Sequence, residues 1–399
     1  MNRSAVRIVA LAFALTMPAA IAPKTYAQDA VTSDQADENI AYAIGMDAVF
    51  YGLAPVLVQL GLRSQTDADK PYDNGQAPVN QMGHARRLYG PEDKFVVTAN
   101  NDTLYSFAGL DLSNEPVVLT VPDTNGRYYI MQLIDAYSRS IEDIGIGTLG
   151  AKGGTFAIVG PGWKGTLPPE MVQINSPTRQ VYVIGRTGVD SESDLPAAHA
   201  VQDQYRLTLL SNYAKPFTKA ELGHKTASAK MGFPEGLDFF VILDSAMRTN
   251  PLAEDAPVTD QFKRIGFGLD KPFDVASLSA PTKRGLTRAL QDGMAAVQRV
   301  AKDSGSRVNG WNMEFKGGEY GNDFLLRSAI DYKQIGLNKA LRALYPNRYI
   351  DADGKQLNGQ HTYTIRFDGK VPVKAGGQRD ASPCSVTPAI RCCRTSGRA

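Results

Sequence analysis

Cysteine is nearly missing from this 399-residue chain: there are three, Cys384, Cys392 and Cys393, all close to the C-terminus. The body is therefore without thiol nucleophiles, cysteine-ligated zinc or disulfides. Histidine is scarce too, and His84, His199, His224 and His361 show no H-E-x-x-H or other metal-ligand spacing. No G-x-S-x-G elbow and no P-loop occurs. An excess of one charge is also lacking: 43 Lys and Arg face 41 Asp and Glu, a net charge of +2. That is too little basic excess for a nucleic-acid binder. Beyond Ala22 no apolar run reads as a membrane span, so no transmembrane segment is expected in the mature protein.

What is present is an ordinary globular composition, 43% hydrophobic and 21% charged, long enough for two or three domains. Asn2, Arg3 and Arg7 precede an apolar run from Ile8 to Ala22, and Thr25-Tyr26-Ala27 offers small residues before Gln28. That order reads as a secretory signal over residues 1–27, so the protein is expected to be periplasmic or secreted. Pro18 and Pro23 interrupt the run and argue against an anchor. Residues 376–399 are rich in Pro, Ser and Arg, have no apolar period, and hold an odd number of cysteines. They read as an unfolded tail.

Between these ends the texture alternates. Ile40, Ile44, Val49, Leu53, Val56 and Leu60 lie at helical spacing, broken by Pro55, which gives one long helix or a kinked pair within residues 28–94. Residues 95–190 carry short β-branched and aromatic runs between turn residues: Phe95–Thr98, Val117–Val121, Tyr128–Leu133, Thr155–Val159 and Val181–Ile184. Residues 191–345 read as helical, in Leu195–Tyr213, Leu237–Arg248, Thr259–Ile265, Thr282–Ala301 and Tyr320–Tyr345. Strands return at Tyr349–Gly354 and Tyr363–Phe367, within residues 346–375. The fold class is α+β: an antiparallel, jelly-roll-like β-sandwich, a helical region, then an incomplete second sandwich.

The run Val97–Tyr105, Leu110-Asp111-Leu112 with Glu115–Leu119, and Arg127-Tyr128-Tyr129 with Gln132 and Asp135 resemble the domain of unknown function 1254. So do Gly160–Gly165, Ser176-Pro177-Thr178 and Gly185-Arg186-Thr187 before Asp194. Tyr320–Arg327, Tyr345-Pro346, Tyr349 and Asp351–Gly354 resemble the start of its usual partner, the domain of unknown function 1214. The resemblance implies two β-sandwich modules with helices between them, in an exported, cell-envelope-like protein. It also implies a Trp-bearing strand where this chain has its cysteine tail, hence a frame shift or truncation near Lys374.

Gly145, Gly147 and Gly150 spell G-x-G-x-x-G, which would cradle a dinucleotide or flavin if a strand preceded it and a helix followed. The flanking residues favour a glycine-rich loop between strands. Asp351-Ala352-Asp353-Gly354 has its glycine too early for a calcium loop and reads as a hairpin turn. His84-Ala85-Arg86-Arg87 is an anion-site candidate or a solvated surface. The remaining polar constellation is the candidate site: Asp102, Asp135 and Arg186 as catalytic groups, with Asn101, Tyr105, Arg127, Tyr128 and Gln132 contacting substrate. A carboxylate can act as base and an arginine can clamp an anionic group through two parallel hydrogen bonds. The same residue types also brace turns and sandwich ends. The leading functional expectation is an exported, hydrolase-like enzyme for a small or polymeric polar substrate. A non-catalytic envelope or binding protein is the first alternative, and an oxidoreductase using the glycine motif the second; cofactor and oligomeric state stay open.

Overall fold

The computed structural model describes residues 32–90, 93, 100, 102–218, 220–225, 232–268, 271–358 and 360–364. The signal, the expected strand Phe95–Thr98, Asn101 and the cysteine tail lie outside them. The N-terminal helical spacing builds α1 (Ser33–Thr66), capped by Thr32 Oγ1, which accepts from Gln35 N at 3.2 Å. It runs straight through Pro55. A proline leaves the carbonyl four residues earlier without its helical donor, and here Arg327 Nη2 donates to that carbonyl, Tyr51 O, at 2.7 Å. Beside it Ser328 Oγ donates to Phe50 O at 2.6 Å. α1 is also long and apolar enough to cross a membrane, which corrects the expectation that no such stretch follows the signal. Its Ala48, Val49, Leu53, Val56 and Val58 are nevertheless wholly buried within the protein.

The sandwich follows in chain order: β1 (Gly83–His84), β2 (Thr103–Asp111), β3 (Val117–Val121), β4 (Tyr129–Asp135), β5 (Ser140–Gly145), β6 (Gly154–Val159), β7 (Val172–Asn175) and β8 (Gln180–Gly188). After α2 (Leu195–Gln202) comes β9 (Arg206–Leu209). The first sheet has the order β1-β2-β8-β4-β5, all antiparallel; the second is β7-β6-β3-β9, with β6 and β7 parallel. The helix expected over Leu195–Tyr213 thus ends at Gln202, and β9 pairs instead with β3 along Val117–Thr120.

Leu110, Met131, Leu133, Val181 and Val183 of the first sheet pack against Val117, Leu119, Phe156 and Ile158 of the second. The opposite face of the first sheet is covered as well: Tyr105, Phe107, Ile134, Tyr182 and Ile184 pack with Val58 and Leu62 of α1. Burial on both sides explains why β4 and β8 read as apolar runs rather than alternating ones, whereas β2, interrupted by Ser106 and Gly109, does not read as a strand. Gly109 allows a close approach to α1, since a Cβ there would lie 2.6 Å from Thr66 Cγ2.

The remaining α-helices and strands are α3 (Asp238–Thr249), α4 (Ala256–Thr259), α5 (Ala280–Asp303), β10 (Ser306–Val308), β11 (Trp311–Met313) and α6 (Phe324–Lys333), and the helix expected over Thr259–Ile265 is a 3-10 helix, Asp260–Ile265. α1, α3 and α5 share a core of Leu53, Phe239, Phe240, Leu243, Leu286 and Val297. The helix expected over Tyr320–Tyr345 stops at Lys333, and Gly336 turns the chain with φ +66°. Isolated bridges Asn312↔Asn347 and Ile350↔Gln356 are the pairings among the described residues after α6.

Candidate functional site

Cross-strand neighbours on the helix-facing side of the first sheet form rows. Tyr105 of β2 lies opposite Arg186 of β8, which lies opposite Ile130 of β4. In the next row Phe107, Ile184, Gln132 and Asp143 stand side by side across β2, β8, β4 and β5. Polar groups therefore meet at the β4–β5–β8 end of a face that is otherwise apolar. The segment after α6 closes over them, with Gly336 so near that a Cβ would lie 2.7 Å from Ile184 Cδ1.

Arg186 is buried, and its Nη1 donates to Asn338 Oδ1 at 3.2 Å and to Gln132 Oε1 at 3.5 Å. Gln132 Nε2 donates in turn to Leu337 O at 3.4 Å, and Asn338 Nδ2 to Tyr345 Oη at 2.5 Å. The guanidinium stands over the Tyr105 ring, 5.5 Å from its centroid. Among the described residues Arg186 makes no ion pair. Asp143 is equally buried, and neither carboxylate oxygen has a hydrogen-bond partner among the described residues. Arg342 Nε approaches Oδ2 at 3.6 Å, and Arg342 Nη1 donates to Gly147 O at 3.1 Å. Burial raises the Asp143 carboxyl above its ordinary value, against the opposing fields of Lys339, Arg342 and Arg186. Burial likewise raises the Tyr128 hydroxyl, with Arg186 the main opposing charge.

Of the residues singled out in the sequence, Tyr105, Tyr128, Gln132 and Arg186 thus come together. Asp135 stands at the far end of β4, opposite Val181 rather than Arg186. Its Oδ1 accepts from Tyr137 N at 2.8 Å and Arg139 N at 2.9 Å, and its Oδ2 from Arg139 Nε at 2.6 Å, so it ties the β4–β5 turn. Arg127 grips Asp194 with two bonds of 2.5 and 2.7 Å and reaches Gly188 O at 2.8 Å. Asp102 is exposed, its N–H donating to Asn100 Oδ1 at 2.9 Å.

Gly145–Gly150 joins β5 to β6, two strands, and no helix N-terminus follows for a pyrophosphate; the phosphate-cradle reading of this loop is corrected on that ground. Arg86 pairs with Asp203, and Arg87 with Asp93 at 2.6 Å. Asp351 Oδ1 accepts from both Asp353 N and Lys355 N at 2.9 Å, a tight hairpin turn. Among the described residues no group of three or more His, Cys, Asp or Glu is placed to hold a metal ion.

Sequence reasoning missed Asp143, Asn338, Lys339, Arg342 and Tyr345. It also missed a second buried polar cluster, where Ser138 Oγ donates to Asp331 Oδ1 at 2.8 Å. Burial pushes the Asp331 carboxyl up to about 8. Asp331 Oδ2 and Tyr320 Oη have no partner there among the described residues.

Residues 79–209, which hold both sheets, match the family model described as a protein of unknown function (DUF1254). The resemblance to domain 1214 expected from Tyr320 onward lies outside the matched residues. A solved structure, the VPA0106 protein from Vibrio parahaemolyticus, is similar in fold. Its TM-score is 0.59 at 19% identity, covering 80% of this chain and 73% of that one. No curated protein matches this chain.

Proposed function

We propose that the protein is exported and binds a small polar ligand through a negatively charged group seated at Arg186. The observation that carries this reading is a buried guanidinium whose hydrogen-bond acceptors are the neutral side chains Gln132 and Asn338. A buried cation without an ion-pair partner is costly, and a ligand carboxylate or phosphate would supply one through charge-assisted bonds. Lys339 and Arg342 add to the positive field at the same end of the sheet. The test is thermal denaturation of the mature protein with acetate, propionate and inorganic phosphate, repeated on Arg186→Gln. At least one anion should raise Tm in the parent and not in the variant. Equal anion effects on both would remove the reading.

Hydrolysis of that ligand is the second reading, favoured by Asp143. A buried carboxyl with raised proton affinity and unengaged oxygens, next to an anion clamp, has the character of a general acid or base. Asp143 here takes the part that the sequence offered to Asp102 or Asp135. A panel of esters, phosphate esters and glycosides would test it. Any activity found should fall by about 10² or more in Asp143→Asn, and persistence of that activity in the variant would dismiss the acid–base role.

A further inference from the structure

Arg186 and Asp143 are a cation and a carboxyl buried on one face of one sheet, 7% and 2% exposed. No hydrogen bond joins them. Gln132 stands between: its Oε1 accepts from Arg186 Nη1 at 3.5 Å, and Asp143 is its cross-strand neighbour on β5. The charged and titratable groups that face Asp143 are Glu142 from its own strand, Arg186 from β8, Lys339 and Arg342 from the segment after α6, and Tyr128 from the start of β4. The Lys339 and Arg342 side chains are 25% and 28% exposed, and Lys339 also lies 3.7 Å from Glu319 Oε1. Water therefore screens them more than it screens Arg186, and charges removed from water act on one another more strongly.

We infer that the site takes up its anion together with a proton, the anion seated at Arg186 and the proton held on Asp143. The inference rests on the anion-binding reading of Arg186 and adds the regulation of that site. With no ligand, the Asp143 carboxylate offsets part of the Arg186 charge through its field. An anion at Arg186 takes over that part and repels the carboxylate, whose oxygens accept no hydrogen bond from the described residues to hold the charge in place. Glu142 adds a repulsion of the same sign. One proton from water converts the carboxylate to the neutral acid, and no covalent bond of the ligand changes. Arg342, partly exposed and 3.6 Å from Asp143 Oδ2, leaves solvent one side chain away from the carboxyl. Burial already raises this carboxyl above its ordinary value, the direction that uptake requires. The coupling is reciprocal: whatever factor the anion adds to proton affinity, the proton adds to anion affinity.

The experiment is calorimetric titration of the mature protein with acetate and with sulfate, which keep their charge from about pH 5.5 to about pH 8.5. Affinity in the parent should fall at least about threefold across that range, and Asp143→Asn should give a level profile and bind at least about threefold more tightly than the parent at its upper end. Heats of binding measured in two buffers of different ionisation enthalpy report proton uptake by the parent alone, without reliance on the variant. A level parent profile with no uptake, or a variant that keeps the parent's slope, overturns the inference and leaves the anion reading standing. If neither anion binds, or Arg186→Gln binds both as the parent does, the anion reading fails and takes the inference with it.

Discussion

Asp135 and Asp143 stand on adjacent strands of one sheet, both buried, and differ in everything else. Asp135 accepts three hydrogen bonds within its own turn, one of them from a guanidinium. Asp143 accepts none among the described residues, and a guanidinium waits 3.6 Å away. A carboxylate with its lone pairs filled locally has been used up by architecture. The other lies in the fields of Arg186, Lys339 and Arg342 without a hydrogen bond from the described residues.

The comparison can be broken most severely at the turn. Asp135→Ala should destabilise the protein by about 2–4 kcal/mol, because it strands two backbone donors and takes the nearer carboxylate from the half-buried Arg139 side chain. Denaturant unfolding measures it, and a change below about 1 kcal/mol would mean the turn is held by other contacts. Next in size is the pH response of Asp331. Its folded proton affinity exceeds that of the unfolded chain, so the protonated form stabilises the fold. That contribution is complete below the ordinary carboxylate value and is lost as pH rises from about 4 through about 8. Asp331→Asn keeps a side chain of the same shape for Ser138 and should flatten the fall in Tm over that window; an unchanged pH profile would count against it.

Asp143→Asn sharpens the contrast from the other side. Its carboxyl is raised too, so the same sign applies, and stability held at low pH declines as the group ionises. The variant should unfold at the same or a higher temperature than the parent at pH 8, where Asp135→Ala unfolds far lower. A large loss in Asp143→Asn would place both carboxylates in the same structural class. The smallest effect is expected at Pro55→Ala. It restores a helical N–H but must share the Tyr51 carbonyl with Arg327, so thermal unfolding should change by less than the full 3 kcal/mol or so that a proline costs inside a helix.

Much of the sandwich was legible because strand chemistry is local. Val117–Val121 and Thr155–Val159 read as strands and form β3 and β6 with bounds within one residue. β9 was hidden: Leu207, Thr208 and Leu209 form a short apolar run that a helix could equally hold, and only pairing with β3 decides it. β5 was hidden for the opposite reason, since Glu142 and Asp143 give it the look of a loop. The site divided the same way. Tyr128 and Gln132 stand out within strand-like sequence and Tyr105 and Arg186 within polar motifs, whereas Asp143 acquires meaning only from the register that sets it opposite Gln132. Asn338 and Tyr345 lie in what reads as a continuing helix, which in the structure ends at Lys333 before the turn at Gly336.

Arg186 and Asn338 are separated by 152 residues of chain, which fixes an order of events. A chain synthesised from its N-terminus completes both sheets by Leu209, and the arginine is then in place without the side chain that receives it. Closing so long a loop adds an entropic term that grows only slowly with length, so the delay lies in synthesis more than in thermodynamics. Until residues 336–345 emerge, α1 covers the helix-facing side of the nascent sheet without the segment that brings Asn338 to Arg186. Truncation before Gly336 would leave the Arg186 guanidinium without its Asn338 acceptor.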